Sequence, residues 1–419
     1  MNEFSYLFLF FLALSTLLTL WLNTRQSAYV QQHRNSVPSD FKEKINLEAH
    51  QKAADYTLAK IRVSNVSTLV SSTILIALTL GGLVSALSLI IGSYIPHDIY
   101  SGVALMMLIF ILSHCVELPI EIYQVFKVEQ AFGFNRSNAR QFIKDQLIQV
   151  ALMLIIGAPF LYALLWVMEK MGHYWWLYAA LLVISFTFLM TWLVPTLIAP
   201  LFNKFTPLED GDLKQRIQQL FERCGFQSKG IYVMDGSRRS GHGNAYFTGI
   251  GRHKRIVFYD TLIDSLNANE IEAVLAHELG HFKCKHISKQ MRVSTLMTIA
   301  GFALLGWLSQ REWFYTGLGL GVEQVSPAIA LLLFILILPV FTFFLQPISS
   351  YFQRKFEFEA DAFASTMSNP EYLIQALVKL YKENASTLTP DPLYSKFHHS
   401  HPSASTRINH LKRLTQEKP

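Results

Sequence analysis

The chain has 419 residues, of which 51% are hydrophobic and only 16% charged, with a mean hydropathy of +0.27. That balance argues against a string of two or three soluble domains, which the length alone would allow. The net charge of +6 points to no nucleic-acid partner, because no stripe interleaves aromatic with basic residues; Lys and Arg beside anionic lipid account for it.

The apolar residues gather into seven runs, near 4–23, 64–95, 102–122, 147–168, 174–198, 293–309 and 327–349. Each is long enough, or nearly so, to cross a hydrocarbon core that needs roughly 20 apolar residues. The second run is long enough to tilt or to extend past the bilayer, and the sixth is short enough to need its flanks. Seven crossings sort the connecting segments onto two sides. One side holds residues 1–3, 96–101, 169–173 and 310–326, whose only basic residues are Lys170 and Arg311. The other holds 24–63, 123–146, 199–292 and 350–419, with seven, four, fourteen and nine. The positive-inside rule makes the second side cytoplasmic, with the short loops carrying the weight. The C-terminus is then inside and the N-terminus outside. The first run has no basic residue before it and several after it, the pattern of a signal anchor rather than a cleaved signal peptide.

Cys115, Cys224 and Cys284 are odd in number and far apart, so neither a disulfide framework nor a cysteine-based zinc site follows. The sequons at Asn135 and Asn384 fall on the cytoplasmic side and are expected to stay unmodified.

Residues 199–292 form the first sizeable polar region. Helical spacing covers 212–223, and 230–235, 244–247 and 254–259 read as short strands, with glycines at 236, 241, 243, 249 and 251 marking turns. Asn267 followed by Glu270 resembles a capping box, opening a helix with Ile271, Val274, Leu275 and Leu279 on its apolar face. That helix is expected to run to about residue 290. It carries His277-Glu278-Leu279-Gly280-His281, the H-E-x-x-H arrangement in which two imidazoles one turn apart bind a metal and a neighbouring carboxylate serves as general base. Glu278 lies about 100° round the helix from His277, beside a metal rather than on it. His286, about 140° further round a continuous helix from His281, reads as a surface histidine. Gly280 costs about 1 kcal/mol in a helix interior relative to Ala, which close approach of another backbone would explain.

Residues 350–419 form the second polar region, opening on a helix through Glu357, Glu359 and Asp361. Two crossings separate the regions, so both lie on one side and can share a site. A catalytic metal needs a third protein ligand and an open position. Glu357 and Asp361 share a helix face and spacing alone ranks them equally, one as ligand and the other orienting a histidine through its second nitrogen. A merely solvated acidic helix face is the plain alternative. Glu359 points away. The tail after about residue 412 is a candidate for disorder.

The motif His277–His281, the run Arg354–Phe363, Asn244-Ala245-Tyr246-Phe247, Phe132-Gly133-Phe134-Asn135 and His401-Pro402-Ser403 together resemble the type I CAAX prenyl proteases over nearly the whole chain. The resemblance implies a mainly α fold: seven transmembrane helices, with a cytoplasmic zincin-like metalloprotease domain containing a small β-sheet. Residues 1–198 would supply spans one to five, 199–292 and 350–419 the two halves of the protease domain, and 293–349 spans six and seven. It implies one Zn2+ on His277, His281 and Glu357, with Asp361 behind them and Glu278 as general base. Asn244, Ala245 and Tyr246 would form an edge strand that pairs with substrate, and His401 and Arg407 would stand near the zinc. His114, Glu117 and Glu121 would line a hydrophilic chamber. Glu359 stands where many relatives carry Gln, and Gly243 replaces a common Ser, which loosens that turn. Peptides or prenylated proteins are the implied substrates, in contact with membrane lipid, and a monomer would suffice. A quality-control protease of misfolded membrane proteins, and a scaffold or receptor with a structural zinc, are the alternatives. A free Glu278 beside three ligands speaks against the second.

Overall fold

The computed structural model describes residues 1–228, 230–248 and 255–416. Among them seven helices are long and apolar enough to span a membrane: Glu3–His33, Leu47–Leu78, Asp98–Glu129, Ala139–Lys170, Gly172–Phe202, His286–Leu308 and Pro327–Met367. They match the seven apolar runs, and most continue well past them into the polar segments. The sixth does draw on its flanks, starting at His286.

The second run is two helices rather than one tilted span. Leu47–Leu78 ends before Gly82, which sits at φ +76°, and a separate apolar helix follows over Leu83–Tyr94. A left-handed residue breaks a helix, and Gly adopts it at no steric cost. Gly81 adds to the break: a β-carbon there would lie 2.8 Å from the Ala77 backbone.

Two large cores and a small third cluster around Tyr56 and Phe134 divide the molecule. Phe8, Met106, Ile109, Leu165, Phe314 and Leu332 belong to the first, between the spans. Lipid is as apolar as these side chains, so packing and interhelical hydrogen bonds hold this part together. Asn23 to Asn65 at 2.7 Å and Thr16 to Ser72 at 2.9 Å tie the first span to the second. The second core joins Ile256, Phe258, Leu275, Leu377 and Leu411. Here removal from water supplies about 1.5–3 kcal/mol for each large apolar side chain.

The sheet has four strands: β1 (Phe205–Pro207), β2 (Gly230–Met234), β3 (Ala245–Thr248) and β4 (Arg255–Tyr259), in the order β1-β2-β4-β3. β2 and β4 are parallel; β1 on β2 and β3 on β4 are antiparallel. β1 escaped the sequence reading because three residues ending in proline carry no alternation. Residue 254 and the turn glycines at 249 and 251 lie outside the described residues. β3 forms an edge of the sheet.

The motif helix covers Ala268–Lys283. Asn267 Oδ1 accepts from the Glu270 N–H at 3.0 Å, and Glu270 Oε2 accepts from the Asn267 N–H at 2.8 Å, which closes the capping box. The helix does not reach residue 290. Cys284 caps it, Lys285 turns left-handed at φ 58°, and a new helix starts at His286. A left-handed lysine costs about 1–2 kcal/mol, so the bend is held by the surrounding packing. At the far end, Ala404–Gln416 is helical, which corrects the disorder expected after residue 412; residues 417–419 lie outside the described set.

Candidate active site

Two helices build the site. Gly280 of the motif helix meets Ala360 of the helix Gln346–Met367, where a β-carbon on Gly280 would stand 2.9 Å from the Ala360 Cα and 3.0 Å from its carbonyl oxygen. The absent side chain lets the backbones touch, and this contact sets the carboxylates opposite the histidines. The carboxylate helix is the direct continuation of the seventh span, so the membrane anchors one half of the site.

The ligand atoms of His277, His281 and Glu357 all fall within 4.8 Å of one another. The two Nε2 atoms are 3.2 Å apart, with Glu357 Oε1 at 3.2 Å from that of His281 and Oε2 at 3.5 Å from that of His277. Asp361, fully buried, lies behind His277 instead, its Oδ1 2.8 Å from Nδ1. The tie left by helical spacing is thereby resolved geometrically: Glu357 faces the Nε2 pair and Asp361 faces the rear of one ring.

Arg407 reaches this cluster from the last helix. Its Nε and Nη2 donate to the two Asp361 oxygens at 2.9 and 2.5 Å, and its Nη1 stands 3.3 Å from Glu357 Oε2. Burial opposes the charge on Arg407, but the two carboxylates outweigh it and raise its pKa further. An ionised Asp361 can only accept, so the Nδ1–H of His277 donates to it and the Nε2 lone pair is left free. Burial and Arg407 work against protonating His277, yet Asp361 and Glu357 prevail and its pKa is pushed up to about 9. A cation at the Nε2 pair displaces that proton, which couples metal affinity to pH.

The donor set fits a zinc ion: two imidazole nitrogens and one carboxylate converge, with acceptor lone pairs facing one another. Glu357 Oε2 is buried without a hydrogen-bond partner among the described residues, although His401 Nδ1 lies 2.8 Å away. An oxygen lying among imidazole nitrogens and a guanidinium suits coordination. Glu278 is partly exposed on the motif helix and makes no hydrogen bond or ion pair among the described residues, so its carboxylate is uncommitted. His401 has a side chain 65% exposed, and it borders a cavity of about 420 Å³ shared with Lys60, Tyr381, Tyr394 and His399.

His286 is not a surface residue. It is 1% exposed, because the left-handed Lys285 turns the following helix and carries the ring back under His281. Glu359 points away from the Nε2 pair, as its spacing predicts, but onto His286 at 2.9 Å. Ligand atoms of Cys284, His286 and Glu359 also fall within 4.8 Å. Both His286 nitrogens already have partners, and Lys289 stands 3.5 Å from the same Glu359 oxygen, so this second cluster is not a vacant metal site.

Asn244 is exposed at the head of the edge strand, and its carbonyl accepts from the Tyr259 N–H at 2.9 Å. Burial pushes the Tyr246 hydroxyl up to about 12. The turn before this strand is clamped from three sides. Phe134 stacks on His242 with ring centroids 4.2 Å apart, Glu129 Oε2 stands 3.4 Å from His242 Nε2, and Asn384 Oδ1 accepts from the Gly243 N–H at 3.1 Å. Asn384, read earlier only as part of a sequon, is thus a structural clamp, and Gly243 does not leave the turn loose. The sequence offered no signal for His242, Glu129 or Asn384, which lie far apart along the chain. Glu117 accepts from Ser71 of the second span, and Glu121 from Gln146 of the fourth; these two carboxylates bridge spans.

Seven spans, a second core outside them and a His-His-Glu cluster define an integral membrane metalloprotease. The model of the CAAX prenyl protease N-terminal region, described as five membrane helices, matches residues 26–204, and that of peptidase family M48 matches residues 207–415. CAAX prenyl protease 1 of Saccharomyces cerevisiae is 34% identical, covering 95% of this chain and 93% of its own. The Homo sapiens homolog is 30% identical, over 91% and 89%. The crystal structure of S. mikatae Ste24p superposes with a TM-score of 0.91 at 31% identity, covering 98% of this chain and 99% of that one. The chain belongs to the CAAX prenyl protease family of M48 peptidases, and it is a metalloendopeptidase of that type. Neither the quality-control nor the scaffold alternative is favoured by these matches.

Proposed function

We propose that the protein cleaves prenylated peptides or proteins at the cytoplasmic face of its membrane, with one zinc ion held by His277, His281 and Glu357. The convergence of those three side chains on one point carries the reading. Bound zinc supplies Lewis acidity, lowering the pKa of a water toward roughly 7 and polarising the scissile carbonyl. Glu278 takes the proton from the attacking water and delivers it to the leaving amine. Asp361 holds the His277 ring by its Nδ1–H, and Arg407 holds Asp361. The exposed edge of β3, led by Asn244, Ala245 and Tyr246, pairs with the substrate backbone as an added strand. His401, beside Glu357, contributes a donor toward the developing oxyanion or the substrate. The site is completed within one chain, so a monomer suffices. Residues 199–292 and 350–419 form the protease unit, and the basic segments support a cytoplasmic location for it, with the N-terminus outside.

Purified Glu278→Gln protein should keep its zinc and lose about 10²–10⁴-fold in turnover on a prenylated peptide ending in Cys-aliphatic-aliphatic-X. Full turnover in the zinc-loaded variant would refute the general-base role. Equal cleavage of the unprenylated peptide would refute the substrate assignment while leaving the peptidase intact. In cells, comparing membrane-protein termini by mass spectrometry between wild type and Glu278→Gln identifies the native substrate.

A further inference from the structure

The second histidine of the motif has its own support, reached only through the bend at Lys285. His281 Nδ1 lies 3.1 Å from His286 Nδ1, and His286 Nε2 lies 2.9 Å from Glu359 Oε2. The ring of His286 is fixed by stacking on Phe356, with centroids 4.2 Å apart and planes 13° apart. Lys289, 3.5 Å from the same Glu359 oxygen, favours the ionised carboxylate.

For two neutral rings this hydrogen-bond geometry leaves one arrangement. An ionised Glu359 only accepts, so His286 Nε2 carries hydrogen and donates to it. A neutral His286 then has a bare Nδ1, which must accept. The donor can only be the Nδ1–H of His281, and a neutral His281 so protonated has its lone pair on Nε2. We infer that Glu359 and His286 form a positioning relay that fixes the tautomer and orientation of His281, presenting its Nε2 to the metal. Asp361 and Arg407 do the same for His277 from the opposite side. Each motif histidine thus has a carboxylate behind it, direct for His277 and one imidazole removed for His281. Ligand histidines are commonly held this way, and loss of such a partner typically costs 10–100-fold in metal affinity.

This inference rests on the zinc reading above, and the experiment separates the two. Apparent zinc affinity would be measured by chelator competition on the full-length protein in detergent, for His286→Leu, His286→Asn, Glu359→Leu and the ligand variant Glu357→Ala. The absorption spectrum of Co2+-substituted protein is recorded alongside. His286→Leu should weaken zinc binding about 10–100-fold and alter the cobalt spectrum. His286→Asn, whose side-chain oxygen can accept from the His281 Nδ1–H, should recover much of that loss. Glu359→Leu, which leaves the His286 ring in place, should fall between and tests the relay even if His286→Leu does not fold. Unchanged zinc affinity in folded His286→Leu, or in Glu359→Leu, alongside loss in Glu357→Ala, overturns the relay and spares the protease reading. No loss in Glu357→Ala overturns both.

Discussion

Arg407 bridges both carboxylates of the site, touching Asp361 with two nitrogens and Glu357 with the third. Asp361 is fully buried, so removing the guanidinium strands a charge away from water. Breaking a buried pair from one side costs about 3–5 kcal/mol. Arg407→Met should therefore lower stability by about that amount in denaturant titration, and Asp361→Asn should do comparable damage. The double variant should lose clearly less than the two together, because residues in one network couple. Simple additivity would show that the pair is not a unit. None of this was visible in the sequence, where Arg407 is one basic residue in a polar tail and was singled out by family resemblance alone. The motif residues were legible because their relation is local: four positions apart on a helix is enough to bring His277 and His281 together. Glu357 and Asp361 were legible as a pair for the same reason, but not in their separate roles.

At the scale of elements, the crossing of the motif and carboxylate helices depends on Gly280. Replacing glycine by alanine inside a helix ordinarily gains about 1 kcal/mol. Here the new carbon would meet Ala360 backbone at 2.9 Å, and backbone cannot rotate aside. Overpacking of this kind costs typically 1–3 kcal/mol, so the clash wins. Gly280→Ala should lower the melting temperature and the zinc content together. A variant as stable as wild type with full zinc would mean that the helices can separate without cost. The helix bounds themselves were legible where capping and periodicity agree, as at Asn267 and Glu270. They failed at Lys285, where a left-handed residue with a large side chain gives no sequence signal, and that failure alone made His286 look like a surface residue. At Gly81-Gly82 the signal was present and was overridden by the length of the apolar run.

For the molecule as a whole, the asymmetry of basic residues predicts which loops share a side. In a cysteine-free background, Ser36→Cys and His173→Cys place exposed thiols in loops on opposite sides. In sealed membranes with the cytoplasmic face enclosed, an impermeant maleimide should label position 173 directly and position 36 only after permeabilisation. The reverse pattern would invert the orientation, and labelling of both without permeabilisation would contradict the odd number of crossings. An even number of crossings, by contrast, lets the site form, since spans six and seven return the chain to the side it left. The seventh then continues through a 3-10 turn at Phe343–Leu345 into the helix that carries Glu357.

The sequence by itself determined the membrane character, the seven crossings and the metal-binding motif. Each follows from composition or from short-range periodicity, which folding does not alter. Only the tertiary structure decided which carboxylate faces the Nε2 pair, what stands behind each histidine, and what clamps the turn before the edge strand. Those relations join residues tens to hundreds of positions apart through one backbone contact at Gly280, one bend at Lys285 and a third helix bearing Arg407. No local pattern encodes them, because they exist only once the two polar segments have packed together.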